Sequence, residues 1–277
     1  MAASARELQR FVRSVYLVRD QVTDFSIYPF AIPAIQSLEE LELDASVTFF
    51  VGDNGSGKST LLEAIAVAAG FNAEGGSRHI RFQTRPTESE LHRCIRLVRG
   101  ARRPRDGYFL RAESFFNVVT ETENLGGSVA DGNHGRSFHE QSHGEAFLQL
   151  VTNRFGADGL YIMDEPEAAL SPQRQLSMLA VMRQLIASGA QLIIATHSPI
   201  LLAYPDALIY QLGPAGMDRV DYQDTEHYQI TRDFLNGREL YFRHLFDAKP
   251  SPTDEENSTN GAPQAKRSAT KNRPRRR

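Results

Sequence analysis

The sequence predicts an α/β fold with a mostly parallel central sheet and flanking helices. In its first half, the β-branched and aromatic run Val47–Val51 leads into a glycine-rich loop and then into the helix-forming run Thr60–Ala69. In its second half, residues 142–212 alternate between helix and strand patterns, which is the order that builds parallel sheets. A chain of 277 residues with 41% hydrophobic content can bury one large core of this kind.

The remaining segments have weaker patterns. Residues 11–43 contain β-rich stretches punctuated by proline, and residues 72–141 form an interval before the second α/β stretch. Within that interval, Ser89–Val98 has a helical pattern that includes the single cysteine, Cys94, which we expect to be packed rather than reactive. Residues 225–248 also have a helical pattern, and Thr231 is the expected N-cap.

The loop after Val47–Val51 reads GDNGSGKST and contains the pattern G-x-x-x-x-G-K-S. Between a strand and a helix, this pattern predicts a phosphate-binding P-loop. Glycines let the backbone N–H groups curl around phosphates, Lys58 reaches the β- and γ-phosphates, and the Ser59 hydroxyl binds Mg²⁺. The residues predicted to bind ATP here are Gly52, Asn54, Gly55, Gly57, Lys58, Ser59 and Thr60.

Two later apolar runs end in residues suited to nucleotide hydrolysis. The run GLYIMDEP ends in Asp164, which is placed to orient Mg²⁺, and Glu165, which is placed to polarise an attacking water. The run QLIIATHSP ends in His197, which is placed to contact the γ-phosphate and that water. Either run alone is also explained by a strand that ends in a polar turn, so the prediction depends on their combination.

The segment QSHGEAFLQL opens an amphipathic helix with Ser142, His143, Gly144 and Glu145. Ser142 and Glu145 form a capping box, S-x-x-E, in front of an apolar run. A capped helix N-terminus with an adjacent glycine can also bind an anion, so the structural and the functional interpretations are compatible.

In this order, the segments GDNGSGKS, SHGE, LYIMDEP and ATHSP resemble the Walker A, signature, Walker B and switch-histidine elements of the ABC-type ATPases. The resemblance covers about residues 11–212 and favours the soluble branch that includes the RecF, Rad50 and SMC heads. It implies a P-loop NTPase domain over residues 1–248, with an antiparallel N-terminal β subdomain and a small helical lobe at about 72–141. No sustained heptads lie between Lys58 and Ser142, so a long coiled-coil arm is not expected.

In that family, two heads sandwich two ATP molecules, and each signature segment contacts the nucleotide of the other head. The resemblance therefore implies an ATP-dependent homodimer in which Ser142 and Gly144 contact the partner's ATP. It also implies that Glu165 is the general base and His197 the switch residue, and that Gln83 joins Ser59 and Asp164 around Mg²⁺. Tyr28 and Phe30 are candidates for stacking on adenine, although packing explains each of them as well.

The chain departs from the usual family pattern at two places. The signature has His143 and Glu145 where SGGQ is usual, so Glu145 is expected to turn back toward the Ser142 backbone. Ser171 follows the Walker B segment where an aspartate is usual.

The sequence thus predicts an ATPase that uses ATP and Mg²⁺ and drives or gates a partner process, on DNA or in defence. The alternatives are the ATPase subunit of a membrane transporter and a nucleotide-dependent switch or scaffold with negligible turnover. A P-loop kinase would leave the SHGE and ATHSP segments unexplained. The protein partner is unknown.

Residues 249–277 have a different composition, rich in Pro, Ser, Thr and Asn, and predict a disordered tail. The tail carries eight basic residues against three acidic ones, so nucleic acid is a possible partner, although a solvated tail without a partner is favoured. The N-terminus has no apolar signal region, and no apolar run reaches the length of a membrane span. We therefore expect a cytoplasmic protein.

Overall fold

The computed structural model describes residues 10–43, 45–77, 89–111 and 143–247. Its main sheet has seven strands in the order β10-β9-β3-β8-β7-β6-β4. The five strands from β9 to β6 are mutually parallel, and β10 and β4 pair antiparallel at the two edges. The strands are β3 (Val47–Gly52), β4 (Gly76–Ser77), β6 (Asp106–Arg111), β7 (Gly159–Asp164), β8 (Gln191–Ala195), β9 (Leu208–Gly213) and β10 (Gly216–Arg219). The predicted α/β fold with a mostly parallel sheet is confirmed.

A second, smaller sheet is antiparallel, with strand order β2-β1-β5. It combines β1 (Val12–Leu17) and β2 (Glu40–Glu42) from the N-terminal segment with β5 (Ile95–Arg99). The β-rich N-terminal stretch was therefore predicted correctly as antiparallel. Its third strand comes from far along the chain.

The helical interpretation of Ser89–Val98 was wrong in its second half. The helix α3 (Leu91–Cys94) makes one turn, and the chain then extends into β5. The buried Ile95 and the half-buried Leu97 alternate with the exposed Arg96 and Val98, and all four pair with β1, which favours a strand. Within the interval 72–141, where a helical lobe was expected, the described residues supply strands to both sheets.

The other described α-helices are α1 (Pro33–Gln36), α2 (Lys58–Ala69), α4 (His143–Arg154), α5 (Pro172–Ala187), α6 (Pro199–Leu202) and α7 (Glu226–Asp247). Of these, α2 packs on one face of the main sheet, and α4 and α5 pack on the other. Side chains alternate along each strand, so Phe50 packs with α2 in one apolar cluster while Phe49 packs with α4 and α5 in another. Both phenylalanines are fully buried. The two apolar clusters, one on each face of the sheet, hold the ends of β3, β7 and β8 in place relative to one another.

The helix α7 begins at Glu226, and Thr225 precedes it as the N-cap. The Thr225 hydroxyl accepts a long, 3.4 Å hydrogen bond from the backbone N–H of Tyr228. The predicted N-cap, Thr231, lies inside the helix instead, so that prediction was wrong. Helical geometry is interrupted at Gly237, where φ is −144° and ψ is 40°.

The chain divides into two compact units, Met1–Thr231 and Arg232–Arg277. The first contains both sheets. In the second, the structure describes a helical stretch with exposed apolar side chains, including Leu235 and Phe246. Within the described part of the chain, no helix is both long enough and apolar enough to cross a membrane.

Candidate active site

The glycine-rich loop joins β3 to α2, as predicted, and its backbone requires glycine at two positions. Gly52 has φ 150°, and a Cβ atom there would lie 2.2 Å from the carbonyl oxygen of Leu212 on β9. Gly57 has φ 100°, in the left-handed region, and directly precedes α2. The loop residues Asn54 and Gly55 are exposed, and Thr60 is half-buried in the first turn of α2. The loop therefore presents backbone amides at a helix N-terminus, which is an anion-binding arrangement.

The side chain of Lys58 lies inside this loop and is 4% exposed. Its ammonium donates hydrogen bonds to the carbonyl oxygens of Gly52, at 2.8 Å, and Asp53, at 2.9 Å. Burial lowers the pKa of Lys58, whereas the nearby carboxylates of Glu165 and Asp164 act in the opposite direction. Within the part of the chain that the structure describes, the hydrogen bonds of this buried cation go to neutral carbonyls, so it is suited to receive an anionic ligand.

The side chain of Ser59 meets the end of β7. Its hydroxyl donates a 3.0 Å hydrogen bond to Oδ1 of Asp164, a residue that is 7% exposed. Hydroxyl and carboxylate oxygens are the ligands that Mg²⁺ prefers, so these two predicted metal ligands fit that ion. The third, Gln83, lies outside the described residues.

The sequence interpretation missed Arg111, which lies at the end of β6 and pairs in register with Asp164. Its Nε is 3.8 Å from Oδ2 of Asp164, and its guanidinium donates a 2.8 Å hydrogen bond to Glu63 on α2. An arginine at a strand end carries no local sign of this role. Only the parallel pairing of β6 with β7 brings it to the site.

Glu165 follows Asp164 in the left-handed conformation, with φ 51° and ψ 51°. Non-glycine residues rarely adopt this conformation, and strained residues of this kind cluster at functional sites. Its backbone N–H donates to the carbonyl oxygen of Ala195, the last residue of β8. Its Oε1 lies 3.4 Å from Nε2 of His197, so the structure brings together the two predicted catalytic residues.

A second carboxylate, Glu167, holds the loop that contains His197 and was also missed. It accepts a hydrogen bond from the Thr196 hydroxyl at 2.7 Å and one from the backbone N–H of His197 at 2.5 Å. This clamp links the turn after β7 to the end of β8. The sequence EPE placed Glu167 near the site but did not indicate which strand it would contact.

A third missed residue is His227, in the first turn of α7. Its Nε2 lies 2.9 Å from Nδ1 of His197, within hydrogen-bond distance. Burial and the neighbouring His197 lower the pKa of His227, which favours its neutral form. A single histidine in a helical pattern 30 residues after His197 gave no indication of this contact.

The signature segment is described only in part. Ser142 lies outside the described residues, and α4 begins at His143. Gly144 is buried, and a Cβ atom there would lie 2.7 Å from the carbonyl oxygen of Ala169, so close packing explains this glycine. The exposed carboxylate of Glu145, which was expected to turn back toward Ser142, lies 3.7 Å from the guanidinium of Arg174 on α5.

The two candidates for adenine stacking have different environments. Phe30 is 2% exposed and packs edge-on against Phe25, so it belongs to the core. Tyr28 is 69% exposed, and its hydroxyl lies 3.2 Å from that of Thr60 in the first turn of α2. Of the two, only Tyr28 is available to a ligand at the loop.

Two family models match the chain. One, described as "AAA domain", matches residues 27–123, and the other, described as "AAA domain, putative AbiEii toxin, Type IV TA system", matches residues 95–203. Between them they include the P-loop, the end of β7 and the end of β8. Together the two models match residues 27–203, so the chain is similar to AAA-domain proteins over that range. No match was found among curated proteins.

Several solved structures are similar to this chain. The cbiO1 protein from Clostridium perfringens, part of the ABC transporter complex cbiONQ, is 16% identical, with 86% of this chain and 100% of that chain covered and a TM-score of 0.47. The SMC head domain from Thermotoga maritima is 15% identical, with 76% and 98% covered and a TM-score of 0.43. The ADP conformation of an ATP-binding cassette of an ABC transporter is 18% identical, with 86% and 99% covered and a TM-score of 0.42.

Proposed function

We propose that this chain is an ABC-type ATPase that binds ATP at the P-loop and hydrolyses it by in-line attack of water on the γ-phosphate. One observation supports the proposal above the others. The Glu165–His197 pair, 3.4 Å apart, lies at the ends of two adjacent parallel strands. On the same strand as Glu165, Asp164 contacts Ser59 of the P-loop. A base, a hydrogen-bond donor and metal-binding oxygens therefore share one edge of the sheet.

Each residue has a defined role in this proposal. The Lys58 ammonium leaves its two carbonyl partners and binds the β- and γ-phosphates. Ser59 and Asp164 would hold Mg²⁺, which neutralises charge on the phosphates, and Gln83 is proposed as a further ligand. Glu165 accepts a proton from the attacking water. His197 donates a hydrogen bond through Nε2 toward the γ-phosphate.

We further propose that two copies assemble around ATP, with Ser142 and Gly144 of each copy facing the nucleotide of the other. The resemblance of SHGE to the family signature supports this arrangement. The start of α4, at His143, agrees with a helix N-terminus that receives an anion. Closing and opening of this dimer would transmit the energy of ATP to a protein partner or to DNA. Residues 249–277, proposed as a basic tail, lie outside the described residues.

Glu165→Gln tests the catalytic role, because glutamine keeps the shape of the side chain but cannot accept a proton. We expect ATP turnover to fall by a factor of ~10² or more while ATP binding is retained. Phosphate release and equilibrium binding of a fluorescent ATP analogue measure the two quantities separately. Glu239→Gln, at a glutamate whose side chain is 76% exposed, serves as the matched control. Equal turnover in the Glu165→Gln and wild-type proteins would remove Glu165 as the base.

A mixing experiment tests the dimer. Lys58→Ala and Ser142→Arg are each expected to abolish turnover, but a mixed dimer has one composite site with both halves intact if the signature acts in trans. We therefore expect activity to return when the two inactive proteins are mixed. Light scattering of Glu165→Gln is expected to show a dimer with ATP and Mg²⁺ and a monomer without them. A monomer in every nucleotide state, with full activity of the wild type, contradicts the sandwich.

A further inference from the structure

The contact between His197 and His227 constrains where the protons of both rings lie. Nδ1 of His197 and Nε2 of His227 are 2.9 Å apart, and one of these atoms must donate and the other accept. Among the described residues, neither His197 Nε2 nor His227 Nδ1, both of them buried atoms, has a hydrogen-bond partner. Whether each of these two outer nitrogens carries a proton therefore depends on its electrostatic surroundings.

Two neutral arrangements are possible. In the first, His227 donates from Nε2, so His197 accepts at Nδ1 and carries its own proton on Nε2. In the second, His197 donates from Nδ1, which leaves a bare Nε2 lone pair 3.4 Å from the carboxylate of Glu165. The second arrangement also leaves the N–H at Nδ1 of His227 buried without an acceptor among the described residues. The first arrangement leaves Nδ1 of His227 as an unpaired acceptor, but it avoids the lone-pair repulsion at Glu165, so it has the lower energy.

We propose that His227 is a positioning residue that fixes His197 in the tautomer with its proton on Nε2, the nitrogen that faces Glu165. This inference rests on the proposed function of the Glu165–His197 pair and adds to it a residue from the C-terminal helix α7. An Nε2–H can donate to an incoming γ-phosphate, whereas a bare Nε2 would repel it. His227 thus gives His197 the polarity that phosphate binding requires, without contacting the nucleotide itself.

The surroundings of His227 agree with a neutral donor. The charged or titratable groups that act on it are Lys58 and His197, which lower its pKa, and Asp53 and Glu226, which raise it. Burial is the largest effect and also lowers that pKa. A neutral ring has one N–H, and in the first arrangement that N–H lies on Nε2 and points at His197.

Three variants separate positioning from packing. His227→Phe keeps an aromatic ring but removes the donor, and His227→Gln restores a non-titrating N–H donor near the position of Nε2. We expect His227→Phe to lower kcat on the order of 10-fold or more, with the Kd for ATP changed less than about 2-fold. His227→Gln is expected to recover most of kcat. His244→Phe, at an exposed position of the same helix, is the control and is expected to match the wild type.

The tautomer is measured directly by ¹⁵N NMR of histidine-labelled full-length protein, with His197→Asn used to assign the signals. The expected result is an Nε2–H tautomer of His197 in the wild type and in His227→Gln, and a mixture in His227→Phe. An Nδ1–H tautomer in the wild type, or a His227→Phe protein with unchanged kcat, overturns the inference. These outcomes differ from failure of the proposed function, in which Lys58→Ala retains turnover, because the NMR result does not depend on hydrolysis.

Discussion

Buried polar groups lie at both ends of β8, and they differ in whether their hydrogen bonds are satisfied. At its start, the Gln191 side chain is 1% exposed, and both its oxygen and its amide are fully used. It accepts from the backbone N–H groups of Phe11 and Val12 and donates to the carbonyl oxygens of Val12 and Leu43, at 2.7–3.0 Å. At its other end, Nε2 of His197 is buried and has no hydrogen-bond partner among the described residues.

This difference distinguishes polar groups that stabilise the fold from polar groups that are available to a ligand, at the two ends of one strand. Gln191 joins the small antiparallel sheet to the main sheet with an uncharged group whose hydrogen bonds are all satisfied, so it contributes stability without chemistry. The opposite end has a buried ammonium, a glutamate in the left-handed conformation and a histidine with an unused nitrogen. Such groups cost stability unless a ligand completes their interactions. The predictions below test this separation.

The largest effect is expected from Lys58→Ala, at the ligand-binding end. The variant removes the cation that pairs with the phosphates, so ATP binding and turnover should both be lost. Isothermal titration with ATP and Mg²⁺ and a phosphate-release assay measure the two losses. Arg105→Ala, whose side chain is 81% exposed, removes a positive charge far less buried than Lys58 and is expected to behave as the wild type. Full turnover in Lys58→Ala would show that the P-loop is not the catalytic site.

At the structural end, Gln191→Leu is expected to destabilise the fold by about 3 kcal/mol, because four backbone groups lose their partner and each unsatisfied buried group costs roughly 1–3 kcal/mol, partly offset by apolar burial and water. Urea denaturation followed by circular dichroism measures this change. Gln184→Leu, an exposed position on α5, is the matched control and is expected to fall within about 0.5 kcal/mol of the wild type. A stable Gln191→Leu protein would mean that these hydrogen bonds do not hold the two sheets together.

A smaller effect is expected from Tyr28→Ala beside the P-loop. If the exposed ring stacks on adenine, its loss weakens ATP binding by roughly 1–3 kcal/mol, whereas Tyr28→Phe keeps the ring and binds normally. Because stacking acts on the base, the affinity for inorganic triphosphate is expected to stay the same in both variants. An equal loss of ATP and triphosphate binding would instead point to a disturbed loop.

The sequence predicted the elements that depend on local pattern. The strand, glycine loop and helix around Lys58 are contiguous, and the strands that end in Asp164 and at Ala195 are apolar runs with clear ends. Their meeting at one edge follows from the parallel order of the sheet. The positions of Glu165 and His197 were therefore within reach of sequence reasoning.

The residues that were missed depend on contacts distant in sequence. Arg111 reaches the site through the pairing of β6 with β7, and His227 through the docking of the first turn of α7. The segment that forms β5 was predicted as helix because its local pattern does not show its pairing with β1, which lies about 80 residues earlier in the chain. The sequence pattern placed the N-cap at Thr231, whereas the helix begins after Thr225, because acceptable helix sequence follows both threonines.

A direct test of the account measures the free energy of unfolding and ATP turnover side by side in Gln191→Leu and Glu165→Gln. We predict opposite results for the two variants. Gln191→Leu should lose about 3 kcal/mol of stability and, under conditions where it is folded, keep turnover within about 2-fold of the wild type. Glu165→Gln should keep its stability and lose turnover by ~10² or more. If Glu165→Gln hydrolyses ATP at the wild-type rate, the assignment of this end of β8 to catalysis is contradicted.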